Sequence, residues 1–187
     1  MTANMNIAHS FILLPFAALI AGCAPGASGA EDAAAFDAGP QCRAELAEPD
    51  LRASPLQGPN GATLPALAPG TYAMSATYLT LRPGADAARE FQRLMAAISE
   101  DLRTRDGLVA FGVSTSSACL TARTLSVWRD AGTMTGFVRA PAHLAAIGAI
   151  NRISRGGSNV THWTGTERDA TWTESVTRIG AAPGPTF

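Results

Sequence analysis

Apolar residues keep a helical spacing most clearly at Ala87, Phe91, Leu94, Met95, Ile98 and Leu102, with Arg89, Glu90, Arg93, Glu100 and Arg103 mostly on the opposite side. The spacing predicts an amphipathic helix of about twenty residues, capped by Asp86 and ended by Asp106-Gly107. Around it the period changes. Thr71 to Arg82 is rich in Tyr, Thr and Leu and stops at Pro83-Gly84, which reads as a strand and a turn. Leu108 to Thr115 alternates, with Val109, Phe111 and Val113 on one side and Ala110, Gly112 and Ser114 on the other, as in a half-buried strand. Ser116-Ser117 makes a turn, and Leu120 to Arg129 is the second arm of a hairpin. Asp130 caps another helical segment. Pro141 restarts that segment at a position proline favours, and it continues through Leu144, Ile147 and Ile150 to about Ile153. Arg155-Gly156-Gly157 ends it, Asn159 to Thr166 is a fourth strand, and Thr171 to Glu174 matches a capping box that starts a short terminal helix.

The element order is β-α-β-β-α-β. Right-handed crossovers then give an α+β, ferredoxin-like domain over residues 71–180, a four-stranded antiparallel sheet with both helices on one face. The bare face of such a sheet calls for a partner. Ahead of the domain, Gln41 to Gly70 carries Pro49, Pro55, Pro59, Pro65 and Pro69, a density that forbids long helices and central strands. It is expected to be an irregular arm lying along the domain. Ala24 to Pro40 has little apolar period and reads as a flexible tether. Residues 181–187 form a tail.

Phe11 to Ile20 is an apolar run too short to span a bilayer, which takes about 20 residues. It fits the central region of a signal peptide over residues 1–22. Ile20-Ala21-Gly22-Cys23 follows directly and resembles a bacterial lipobox, which implies cleavage before Cys23 and a diacylglycerol on its thiol. An acyl chain contributes about 0.8 kcal/mol per buried CH₂, so the expected partner is a membrane and the expected place the bacterial cell envelope, on its periplasmic or exterior side. Met1 to Ser10 departs from the pattern in having no Lys or Arg. Setting Cys23 aside leaves Cys42 and Cys119. In an oxidising compartment they form a disulfide if the fold brings them together, tying the arm to the second strand of the domain, and otherwise remain two thiols.

Composition narrows the function classes. Hydrophobic residues make up 47% of the 187 and charged residues 16%, enough apolar material for a core. A net charge of -1 offers no footprint for nucleic acid. All 14 basic residues are arginine, which excludes a Schiff-base lysine, a phosphate-loop lysine and a lysine general base. The sequence holds no HExxH, CxxC or GxSxG pattern, so neither a metal nor a cofactor is expected. Asn159-Val-Thr161 matches a glycosylation triplet, a chance match beside a bacterial lipobox.

Leu125-Ser-Val-Trp-Arg-Asp130, Phe137 and Pro141-Ala-His143 resemble the antibiotic biosynthesis monooxygenase type of dimeric α+β barrel over about residues 71 to 166. The resemblance implies a homodimer whose two sheets close into a barrel, with a cleft between each sheet and its helices. It places His143 as a catalytic base or donor, and Tyr78, Trp128, Phe137 and His162 against an unknown small molecule. The branch that degrades haem has a second Trp at the position of Phe137 and its iron-ligating His at that of Ile147, and Ile cannot bind iron. Two readings stand. One is an exported lipoprotein whose barrel domain binds a small ligand or an envelope partner. The other is a cofactor-independent, monooxygenase-like enzyme acting on a small apolar or aromatic compound. A cleft on which His143 and a Tyr converge favours the enzyme; a cleft filled by Phe91, Phe137 and Ile147 favours the binding protein.

Overall fold

Five antiparallel strands form the central sheet in the order β1-β3-β4-β2-β5. The computed structural model describes residues 36–182; the expected signal peptide, Cys23 and most of the expected tether lie outside them. The strands are β1 (Arg52–Ala53), β2 (Thr71–Thr80), β3 (Leu108–Ser116), β4 (Thr121–Trp128) and β5 (Asn159–Thr166). Without β1, a two-residue edge contributed by the arm, the order is that of a ferredoxin-like α+β fold. Helix α1 (Ala85–Arg103) crosses from β2 to β3, and α2 (Ala131–Val138), α3 (Pro141–Gly148) and α4 (Ile150–Ile153) carry the chain from β4 to β5. A single 3-10 turn then leads into α5 (Trp172–Ala181).

Helix α1 buries Phe91, Leu94, Ile98 and Leu102, the stripe its spacing foretold. Each such side chain contributes roughly 1.5–3 kcal/mol on leaving water. Its N-cap is Gly84, with no side-chain cap; Asp86 sits in the first turn and pairs with Arg89 instead. Asp130 does cap α2, accepting from the amide of Thr133 at 2.8 Å. Thr171 caps α5 through the amide of Glu174 at 3.1 Å. The reciprocal capping box belongs to Thr166 and Asp169, one turn earlier. The segment begun by Pro141 is two helices rather than one, broken at Ala149.

Two corrections concern the sheet. In β3 the register shifts between Leu108 and Ala110. This bulge sends Val109 and Phe111 to opposite faces: Val109 packs against the cluster that contains Met74, Ala76 and Leu125, whereas Phe111 packs against the one that contains Trp128 and Ile98. Simple alternation had put them together. Gly107 makes the turn into β3 at φ 79, where a Cβ would lie 2.5 Å from that of Thr133.

The second correction is larger, because the face expected to be bare is covered within the chain. Met74, Ala76, Tyr78, Leu125, Val127 and Trp163 pack there beneath Leu56, Leu64 and Leu67 of the arm and Trp172 and Ile179 of α5. Arm and helix meet over Gly112, where a Cβ would come within 2.9 Å of Leu56 and 3.1 Å of Trp172. The arm is held along its length. Cys42 is disulfide-bonded to Cys119, which lies in the turn between β3 and β4, with Cα atoms 5.3 Å apart. Gln57 exchanges backbone hydrogen bonds with Phe111 at 2.8 Å each way.

Candidate functional site

The helix-side face carries the residues that the sequence singled out. Trp128, at the end of β4, is fully buried, and its indole N–H donates to Ser126 Oγ at 2.9 Å. Its ring stacks on Phe137 of α2 at 5.2 Å, and Phe137 meets the His143 ring at 4.7 Å. The three rings form a column from the sheet to the surface. Pro141 starts α3 and so positions His143 one turn in, where its Nδ1 lies 3.1 Å from the carbonyl oxygen of Val138. A carbonyl only accepts, so Nδ1 carries the proton and Nε2 is left as the acceptor. Burial pushes the imidazole below its usual range, opposed by the Val138 carbonyl and the charge of Asp101. The neutral form therefore prevails at pH 7.

Beside that imidazole the described residues are closely packed. Ala73, Ile98, Leu102, Leu108, Trp128 and Phe137 fill the space between sheet and helices, and Phe91 closes the neighbouring cluster with Leu94, Ala122 and Ile153. Ile147 does not join them; its side chain is 45% exposed on the outside of α3. Asp101 pairs with Arg105, leaving Asp101 Oδ2 and Arg105 Nε buried without a partner among the described residues.

Tyr78 lies on the other face of the sheet, and the sheet separates it from His143. Its hydroxyl donates to the Cys42 carbonyl at 3.1 Å, and Arg123 lies 4.4 Å over its ring. Burial, and then the charge of Glu48, raise its pKa. His162 and Trp163 point to opposite faces, as adjacent strand residues must. Trp163 is buried under α5, with Arg178 5.8 Å from its ring, and His162 is exposed on the edge strand. Tyr72 hydrogen-bonds the Ala68 carbonyl at 2.9 Å. Trp128, Phe137 and His143 are thus brought together, while Tyr78 and His162 stand apart from them and from each other.

The densest polar constellation is one whose purpose the sequence reading missed. Arg123 and Glu48 are both 0% exposed and meet at 3.0 Å on the arm side of β4. Thr121 donates to the same carboxylate at 2.6 Å, and Arg123 donates to the carbonyls of Ala44 at 3.1 Å and Leu46 at 2.7 Å. Asp50 accepts from the hydroxyls of Ser116 and Ser117 and the amides of Ser117 and Ala118. These bonds, that of Ser116 foremost, hold its carboxyl down at about 2. The available signal was an arginine inside an otherwise uncharged strand, Thr121 to Trp128. Nothing in the spacing named its partner, 75 residues away. Chemically this constellation binds the chain's own arm. Among the described residues, no group of three or more His, Cys, Asp or Glu could hold a metal ion.

No protein-family model and no curated protein sequence matches the chain. Solved structures do resemble it. One is an antibiotic biosynthesis monooxygenase, 13% identical, with 49% of this chain and 95% of that chain covered at a TM-score of 0.44. Another is the Shewanella oneidensis protein SO0527, 9% identical, with coverages of 54% and 97% and a TM-score of 0.46. A third is Rv0793 from Mycobacterium tuberculosis, 17% identical, with coverages of 50% and 93% and a TM-score of 0.42.

Proposed function

We propose that this protein is an exported lipoprotein, held in the bacterial envelope by acylated Cys23, whose ferredoxin-like domain binds a small ligand or an envelope partner without catalysing a reaction. The observation that carries the non-catalytic reading is the filled space between sheet and helices, with His143 and Tyr78 on opposite sides of the sheet. A cofactor-free oxygenase needs a water-excluding cavity with donors aimed at the developing charge, and here aromatic and aliphatic side chains occupy that volume. The Cys42–Cys119 bond supports export, because such bonds persist in oxidising compartments.

Two measurements on protein extracted from membranes test the two halves. Intact mass is expected to show a chain beginning at an acylated Cys23, and a different N-terminus or an unmodified cysteine removes the lipoprotein. An oxygen electrode is expected to record no uptake with anthrone- or quinol-type aromatics, and turnover of any of them overturns the non-catalytic reading.

A further inference from the structure

Helices α2 and α3 lie on the surface, yet neither has a charged face. Together they read AGTMTGFV and PAHLAAIG, and the linker between them supplies their one exposed full charge, Arg139. Their inner sides pack on the core through Phe137, Met134, Ala142 and Ala146. Their outer sides present Val138 at 41%, Leu144 at 52% and Ile147 at 45% exposure, three of the four exposed large apolar side chains among the described residues. A helix that is apolar all round is one covered on all sides. α1, on the same side of the sheet, has the charged outer stripe that these two lack.

We propose that the outer face of α2 and α3 lies against the surface of an anionic lipid bilayer, the one entered by the acyl chains on Cys23; the inference rests on the lipoprotein reading above. Charge is the first reason. From Ala131 to Thr166 the chain has no Asp or Glu, and Arg139 stands beside Val138 with no ion pair among the described residues. An apolar patch flanked by Arg139, with no carboxylate on α2 or α3 and with Asp130 and Asp106 at the start of α2 both paired to Arg129, suits anionic headgroups over acyl chains. Reach is the second. The described chain begins at Phe36, whose ring lies 4.7 Å beneath Arg155, two residues past the end of α4. The 13 residue steps from Cys23 to Phe36 span at most about 45 Å, enough for the patch to meet the anchoring membrane. Area is the third. Two eight-residue helices offer on the order of 300 Å², well below the roughly 800 Å² per partner of a stable protein interface. A bilayer needs no minimum patch, because the acyl anchor holds the domain beside it.

The test uses the full acylated protein in vesicles of phosphatidylglycerol and phosphatidylethanolamine containing a doxyl-labelled lipid. A fluorescent label is placed at Ile147→Cys or, as the reference, at Thr173→Cys on the exposed side of α5. Doxyl quenching is expected to be at least about fivefold stronger at Ile147→Cys, and to fall at least about threefold when Leu144→Asp or Arg139→Glu is added. These sites are exposed, so unchanged far-ultraviolet circular dichroism is expected alongside. Protein that floats with the vesicles but is quenched equally at both positions overturns this inference alone. Protein that does not float removes the acyl anchor, and the inference with it. A label at position 147 shielded in lipid-free detergent in proportion to protein concentration assigns the face to a second copy and overturns the bilayer.

Discussion

Glu48 and Arg123 show how a single pair helps to close the second face of the sheet. Neither charge touches water, so each depends on the other and on the carbonyls around Arg123. Removing one partner strands a buried charge, which costs about 3–5 kcal/mol. Glu48→Gln is therefore expected to lower the unfolding free energy obtained from urea titration by that amount, and Glu48→Met with Arg123→Met to recover much of it; an unchanged urea midpoint for Glu48→Gln would mean the pair does not hold the arm. Asp50 adds a pH dependence of known sign. Its folded pKa, about 2, lies below the ordinary carboxylate value of 3.8, chiefly through Ser116. The stability it adds is thus complete above about pH 4 and is lost as pH falls through about 2. Acid unfolding of Asp50→Asn is expected to lack that part of the pH dependence; superimposable acid profiles for the two proteins would contradict it.

At the scale of elements, the arm and α5 form a second layer without regular pairing of their own beyond the two residues of β1. Proline density foretold the arm's irregularity but not its docking, because its contacts are with residues far along the chain. The disulfide closes a separation of 77 residues, for which loop-closure entropy gives about 3–5 kcal/mol. Cys42→Ser with Cys119→Ser is expected to lose that stability in urea and to speed trypsin cleavage after Arg43 and Arg52, both exposed on the arm. Equal cleavage rates would show that the polar contacts alone hold it. The bulge in β3 is the other feature of this scale that escaped sequence reading. One extra residue reverses the facing of Val109 relative to Phe111, and no side-chain chemistry announces it.

At the scale of the molecule, the covered second face changes what assembly requires. A barrel formed with a twin would first have to displace the arm and α5, along with the apolar contacts of Leu56, Leu64, Trp172 and Ile179. Sedimentation of the protein in detergent is accordingly expected to give one chain per micelle. A dimer that survives cross-linking of the arm in place would show that another surface mediates it. The apolar outer side of α2 and α3 is the surface then left, and its small area is the argument for a lipid rather than a protein neighbour.

The sequence by itself determined the element order, the buried stripe of α1, the caps at Asp130 and Thr171, and the antiparallel hairpin. Each of these depends on residues a few positions apart, where spacing and side-chain type carry the physics. It also excluded lysine chemistry outright. Only the tertiary structure decided that Trp128, Phe137 and His143 meet ring to ring while Tyr78 faces the other way. It alone joined Glu48 to Arg123 and Cys42 to Cys119, and placed arm and helix where a partner was expected. Those outcomes depend on which distant segments fill a given volume first, a competition among packing, desolvation and chain connectivity that local pattern does not record.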